Sequence, residues 1–349
     1  MKTHLVTGGK GYVGSSIVKE LLAQGQRVRV LDVDRDNLSL PSHPNLEIVH
    51  GHILDRDCVR ASLTDVHFVH HCAAMVPLAR NLKLFTEVNF HGTKLVSDES
   101  VRAGVQHFVQ LSSSAVFQST DTNNETGSNS FDESHPTSAF EPYGISKKLA
   151  EDYLFKQMQT HPQMKWTILR PRTVVGPGRM GILQLLFSWI NKGRPVFLIG
   201  SGANPFQLIH SQDLARASVL SCQNSPGGVF HLGTDRFGTL RETLLELSQH
   251  AQTGSRLISL PRAPTQFALG TLDRLGVSPL SAWHYSSLHR NWSFNISKAQ
   301  RELGWQPQFS NAEMLAKAYD WYLQYGIPKG PASLHQSGVD WKWLSFLKW

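Results

Sequence analysis

A chain of 349 residues, 40% hydrophobic and 17% charged, is too long for a small binding module and too apolar for a disordered polymer. Lys+Arg of 34 against Asp+Glu of 27 gives a formal charge of +7, which suits an anionic ligand, an acidic membrane face or nucleic acid without choosing among them. Cys58, Cys72 and Cys222 stand in no C-x-x-C spacing, so neither a disulfide framework nor a metal site is expected.

His4–Thr7 is a short apolar run ending in glycine and reads as the first strand. Ser15–Gln24 carries Ile17, Val18, Leu21 and Leu22 at helical spacing. Val28–Val33, Leu46–Val49, Val66–Cys72 and Phe108–Leu111 read as strands two to five, with a helix over Phe90–Ala103. Such alternation implies parallel strands joined by crossover helices, hence an α/β fold with a Rossmann-type doubly wound parallel sheet. Ser119–Thr137 is polar and reads as a long surface loop bordering a site. Tyr143–Gln157 is helical and Trp166–Leu169 is a further strand, ending at Arg170-Pro171. From about residue 176 the regularity weakens, with a return to the sheet expected at Val229–Leu232.

Gly8, Gly11 and Gly14 form G-x-x-G-x-x-G directly after a strand and before a helix, with Tyr12 and Val13 inside the turn. One glycine allows a tight turn, one a close approach to a pyrophosphate, and one the packing of helix on strand. The helix N-terminus then presents N–H groups to the phosphates. Asp32 ends the second strand, where a carboxylate accepts hydrogen bonds from adenosine ribose hydroxyls and repels a 2′-phosphate, favouring NAD over NADP. Arg35 nearby is the one residue that argues for NADP.

Tyr143 and Lys147 lie four apart at a helix start and share a face. A lysine ammonium beside a tyrosine favours the phenolate, so Tyr143 can exchange a proton with a substrate hydroxyl while hydride moves to or from nicotinamide. Ser112, Ser113 and Ser114 follow strand five, where one hydroxyl can hold a substrate oxygen or all three can satisfy backbone groups.

These residues resemble the extended short-chain dehydrogenase/reductase family, its NAD-dependent epimerase/dehydratase-like branch, with 3β-hydroxysteroid dehydrogenase-like features. The resemblance covers roughly residues 3–325 and rests on TGGKGYVG at 7–14, HCAA at 71–74, NFHGT at 89–93, SSSAVF at 112–117, YGISK at 143–147 and LRPRTVVGPG at 169–178. LIHSQDLARA at 208–217 and ELGWQP at 302–307 are weaker echoes. The resemblance implies Tyr143 as general acid/base, Lys147 on the nicotinamide ribose, and Ser113 as the hydroxyl partner. It implies Ala73 and Ala74 along the cofactor, Asn89 at the sheet's carboxyl edge, Ile53 against adenine and Pro171 beside the nicotinamide. His52 departs from the family's acidic residue, and Phe206 stands where nucleotide-sugar members carry an arginine.

The organisation expected is an NAD-binding, catalytic unit over 1–175, mainly a smaller substrate-binding lobe over 176–330, and a Trp/Lys-rich tail over 331–349. Trp189, Phe197, Phe206, Phe267, Trp283, Tyr285 and Trp292 suggest a bulky apolar alcohol or ketone, while Arg172, Arg179 and Arg194 can recognise an anion. The leading reading is an NAD-dependent oxidoreductase acting on a small-molecule substrate. The alternatives are a nucleotide-sugar epimerase that recycles tightly bound NAD, and a non-catalytic dinucleotide sensor. No nucleic-acid partner is read, and a homodimer is implied by resemblance alone. Without a signal peptide or a spanning segment the chain reads as cytoplasmic. Trp341, Trp343 and Trp349 with Lys342 and Lys348 suit either docking on the protein or its dimer partner, or peripheral membrane contact.

Overall fold

The computed structural model describes residues 1–34, 40–76, 82–117, 129–179, 183–224, 227–274 and 292–326. The first part runs β1 (Thr3–Thr7), α1 (Tyr12–Ala23), β2 (Arg27–Asp32), β3 (Leu46–His50), α2 (Arg56–Ser62) and β4 (Phe68–His71). It continues with α3 (Leu82–Leu84), a π-helical stretch (Phe85–Gly92), α4 (Thr93–Arg102), β5 (His107–Leu111) and a 3-10 turn (Ser114–Val116). Then come β6 (Asn129–Phe131), α5 (Pro142–Thr160), β7 (Lys165–Pro171), β8 (Thr173–Val175), α6 (Leu183–Asn191), β9 (Val196–Ile199) and β10 (Leu208–His210). The rest is α7 (Ser211–Asn224), β11 (Gly228–Leu232), α8 (Leu240–Ala251), β12 (Leu257–Leu260), α9 (Arg262–Arg274), β13 (Trp292–Phe294), α10 (Ser297–Leu303) and α11 (Asn311–Tyr325).

Seven parallel strands form the central sheet in the order β11-β7-β5-β4-β1-β2-β3. The chain runs outward from β1 to β3 and then crosses back to β4, so the connections diverge between β1 and β4 and open a crevice at their carboxyl ends. Period-two alternation sends Leu5, Leu31 and Val69 to a core with α2, α4 and α5, and Val6 and Val30 to one with α1 and α7. Both faces are covered, which is why these strands read as apolar runs. A further core joins Phe187, Ile190, Leu244, Met314 and Tyr319 of α6, α8 and α11. Three two-stranded parallel pairs, β8–β10, β9–β12 and β6–β13, complete the described sheets.

The expected loop over Ser119–Thr137 contains β6, which pairs with β13 in the register Phe131 to Phe294. Short strands this far apart in sequence carry no local signal. Residues 118–128 of that loop, with Arg35, Trp283, Tyr285 and the tail, lie outside the described residues, as does the side chain of Trp292. Among the described residues no helix is long and apolar enough to cross a membrane.

The sheet buries an unusual number of histidines. His4 Nδ1 meets His70 Nε2 at 3.0 Å, His70 Nδ1 meets Ser218 Oγ at 2.7 Å, and His107 Nε2 meets Thr167 Oγ1 at 2.8 Å. Burial is the largest cause that lowers their pKa values, to about 4 for His4 and His107 and about 3 for His71 and His231, with His70 also lowered. These rings fold neutral, whereas unfolded they take a proton near the ordinary histidine value of 6.5. Their contribution to stability is therefore complete above pH 6.5 and is lost as pH falls through that value towards 4 and 3. The midpoint of urea unfolding is expected to be level just above pH 6.5 and to fall steeply below it. Replacing His71 with Gln is expected to reduce that slope by about one proton.

Candidate active site

β1 delivers the chain into Gly8, whose φ is +65 and whose N–H donates to the Leu31 carbonyl at 2.9 Å. A Cβ on Gly8 would stand 2.8 Å from the Ala73 backbone, and one on Gly14 would stand 2.1 Å from the Gly8 carbonyl oxygen. The turn therefore touches the end of β4 on one side and the first turn of α1 on the other. Gly9 is equally confined, because its Cβ would meet the Val30 methyls at 2.7 Å. That constraint comes from β2 and is invisible in the motif. α1 begins at Tyr12 behind Gly11, with no capping side chain and no acid in its first turn. Its N-terminal N–H groups and dipole are left to an anion.

Asp32 does two jobs at the end of β2. Oδ2 accepts the Lys10 N–H at 2.8 Å and Oδ1 accepts the Asp34 N–H at 3.0 Å, so the carboxylate ties the glycine turn to the strand exit. A carboxylate keeps lone pairs for further donors. The cradle without room for a side chain, the uncapped helix and this acid together fit a dinucleotide.

At the end of β4 a relay of side chains holds the backbone. Thr93 Oγ1 donates to the Asn89 carbonyl at 2.7 Å and meets His71 Nε2 at 3.1 Å, and His71 Nδ1 meets Thr7 Oγ1 at 2.7 Å. That order puts the His71 proton on Nε2, and Thr7 Oγ1 then accepts the Ala73 N–H at 3.3 Å. Ala74 follows, half-buried. Fully buried Asn89 accepts the Met75 N–H at 2.7 Å and donates to the Met75 carbonyl and to Ser146 Oγ. It sits in the π-helical stretch, an irregularity common at functional sites and unmarked in the sequence. Ile53 is buried, and a Cβ on Gly92 of that stretch would come 2.4 Å from its Cδ1.

α5 starts with Pro142 at its first position and carries Tyr143 and Lys147 inward. A Cβ on Gly144 would lie 2.2 Å from the Ala115 carbonyl oxygen, so the helix rests directly on the 3-10 turn. That approach brings Tyr143 to Ser113. Ser113 accepts the Ala115 N–H at 3.1 Å, and its hydroxyl stands near the Tyr143 phenol. The Phe85 ring packs edge-on to Tyr143 at 6.0 Å. Burial raises the Tyr143 pKa, while the Ser113 hydroxyl and the Arg179 guanidinium pull it back. The cation acting on the phenol is thus Arg179, reached from beyond β8. Lys147 Nζ instead donates to the Leu111 carbonyl at 2.9 Å, and burial lowers its pKa to about 8.

Further along α5, Glu151 accepts from Arg170 Nε at 3.0 Å and Nη2 at 2.6 Å, and from Ser112 Oγ at 2.5 Å. Arg170 Nη1 also faces His231 Nε2 at 3.4 Å, whose Nδ1 donates to the Phe131 carbonyl at 3.1 Å. Pro171 closes β7 immediately after this pair and is buried. Neither Glu151 nor Arg170 is singled out by its sequence context, although an acid eight positions after Tyr143 falls near the same helix face. The aromatic set divides: Phe206 packs on the α6–α8–α11 core, whereas Phe197 and Phe267 are exposed. Arg172 donates to the Gln207 carbonyl at 3.4 Å.

Residues 4–233 match the sequence model of the NAD dependent epimerase/dehydratase family. The chain is 41% identical to the uncharacterized protein y4nG of Sinorhizobium fredii, over 99% of this chain and 86% of that protein. It is 29% identical to a 3 beta-hydroxysteroid dehydrogenase/Delta 5-->4-isomerase of Mycobacterium tuberculosis, over 91% of this chain and 90% of the relative. Among solved structures, a UDP-glucose 4-epimerase with UDP-glucose from Thermotoga maritima superposes with a TM-score of 0.75 at 23% identity, over 92% of this chain and 99% of that one.

Glu151→Leu is expected to lower the unfolding free energy by about 3–5 kcal/mol, since it leaves Arg170 buried without a counter-charge. The double variant Glu151→Leu/Arg170→Met is expected to recover most of that loss in urea titrations.

Proposed function

The chain belongs to the NAD dependent epimerase/dehydratase family, and from that premise we propose that it oxidises a secondary alcohol, or reduces the ketone, of a bulky and largely apolar substrate of 3β-hydroxysteroid-like shape. The family's members are NAD-dependent enzymes. The observation that carries the proposal is the approach of the Ser113 hydroxyl to the Tyr143 phenol beside the glycine cradle. Bound NAD supplies the acceptor for the carbinol hydrogen and its electron pair.

The chain's own residues do the rest. Gly8, Gly11 and Gly14, with Tyr12 and Val13, take the pyrophosphate, and Asp32 takes the adenosine ribose. Ile53, Ala73, Ala74 and Asn89 shape the wall along the dinucleotide, and Pro171 closes it near the reacting end. Lys147 binds the nicotinamide ribose. Ser113 donates to the substrate oxygen, and Tyr143 Oη moves its proton: off the hydroxyl in oxidation, onto the carbonyl oxygen in reduction. Buried Tyr143 rests as the phenol, ready to donate to a ketone. Oxidation needs a cation to hold the phenolate, and Arg179 is placed for that.

Two supports favour the steroid-like substrate over a nucleotide sugar. One relative similar along 91% of this chain is named a 3 beta-hydroxysteroid dehydrogenase/Delta 5-->4-isomerase, and Phe206 stands in an apolar setting where an arginine would pair with a diphosphate.

The test is absorbance of reduced nicotinamide with 3β-hydroxysteroids and other apolar secondary alcohols as probes. Tyr143→Phe is expected to lower turnover about 10³-fold and Ser113→Ala about 10²-fold, with NAD affinity nearly unchanged. No turnover of any such probe, together with stoichiometric NAD released only on unfolding, would replace this reading with an epimerase that recycles its cofactor.

A further inference from the structure

Arg179 lies just past β8, with its Cζ 5.4 Å from the centroid of the Tyr12 ring. The residue is half-buried, and burial of its guanidinium is the first cause that lowers its pKa. The groups that oppose this are phenols, Tyr12 and Tyr143, and among the described residues no carboxylate pairs with it. A sunken guanidinium without an anion is costly and is retained where a ligand brings one.

Two further polar atoms converge on the same corner. Tyr12 Oη is buried without a hydrogen-bond partner; the Ser211 hydroxyl is near but not in bonding geometry. His210 is 2% exposed, its ring lies against Phe309 at 4.0 Å, and its Nδ1 accepts the Gln212 N–H at 3.3 Å. The neutral ring therefore carries its proton on Nε2, which is also buried without a partner. A Cβ on Gly176 would stand 2.7 Å from Tyr12 Oη and 3.0 Å from His210 Nε2, and its φ of +150 is one that side chains rarely adopt. Only a glycine lets this O–H and this N–H come so close to the backbone together, and the Arg179 guanidinium lies over the Tyr12 ring beside them.

We infer that Arg179, Tyr12 and His210 form a binding site for an oxyanion, carboxylate or phosphate, carried by the substrate beside Tyr143. The inference rests on the reading of Tyr143 as the reacting group and adds a requirement: the largely apolar substrate bears one anionic substituent near its oxidisable carbon. The cofactor's pyrophosphate offers the same oxygens, but the α1 N-terminus already serves it. Charge-assisted bonds from a planar guanidinium fix an oxyanion in orientation as well as position, which aims the adjoining carbon at Tyr143.

The test needs no turnover, so it stands apart from the hydride-transfer assay. Thermal unfolding of the full chain is followed with inorganic phosphate or acetate as probes, with and without saturating NAD. Both anions are expected to raise the Tm of the NAD-bound wild type, and Arg179→Met is expected to weaken their apparent affinity at least about tenfold. In the absence of anion, Arg179→Met is expected to melt no lower than wild type, because it removes an unpaired charge. Anion stabilisation confined to NAD-free protein, with NAD affinity weakened about tenfold by Arg179→Met, would assign the site to the cofactor's pyrophosphate and overturn the substrate assignment. No effect of either anion, with a lower Tm for Arg179→Met, would make Arg179 a structural residue and overturn the site itself. His210→Phe is expected to weaken both anions too, and it carries the comparison if Arg179→Met does not fold.

Discussion

The buried ion pair between Glu151 on α5 and Arg170 on β7 sets the geometry on which the site depends. The same carboxylate takes the Ser112 hydroxyl from the end of β5, and the same guanidinium faces His231 of β11. One charge pair thus references the helix bearing Tyr143 and Lys147 to three neighbouring strands. Desolvating two charges is expensive, and here it is offset by two-point contact and a satisfied surrounding of hydrogen bonds. What it secures is register. Tyr143 and Ser113 belong to different elements, and proton exchange with a shared oxygen needs them placed within about 0.5 Å.

Around that frame the charges divide their labour. Lys147 and Tyr143 share a helix face, yet Lys147 is turned to the Leu111 carbonyl at the strand end. The positive field on the phenol comes from Arg179, in the segment past β8. His71, one turn of the relay away, is held neutral with its proton towards Thr93, so its unprotonated nitrogen orders Thr7 and through it the Ala73 backbone. The result is a site whose cations come from separate segments, and whose substrate side is bordered by donors.

The parts that were legible in the sequence are the local ones. The glycine turn, Asp32 and the Tyr143/Lys147 pair each lie within one strand–turn–helix, where spacing alone brings groups together. Strand positions one to five followed from alternation because the inner strands are buried on both faces, while the edge strand β3 still carries apolar Leu46, Ile48 and Val49. The parts that escaped are pairings across the chain. Glu151 and Arg170 look like ordinary charges until β7 slides beneath α5. Gly9 and Gly144 acquire meaning only from Val30 and from the Ala115 carbonyl. The π-helical stretch leaves no mark on periodicity, since it adds residues to a turn that still carries apolar ones. The two weak echoes, at 208–217 and 302–307, prove to be neighbours: Asp213 accepts the Gln308 and Phe309 N–H groups, and Trp305 Nε1 donates to the Asp213 carbonyl at 2.8 Å.

That junction bears on how the protein is made. α7 covers the face of the sheet on which α1 lies, β11 pairs with β7, and Asp213 is clamped by residues near 308. A nascent chain that has emerged only through β7 carries every glycine of the first turn and both Tyr143 and Lys147, yet it leaves an unpaired strand edge and a bare apolar face exposed to the ribosome's surroundings. Closure waits for segments far along the message, so the nucleotide half ripens last although it is translated first. Such long-range closure slows folding and places the burden of early survival on chaperones rather than on the sheet's own stability.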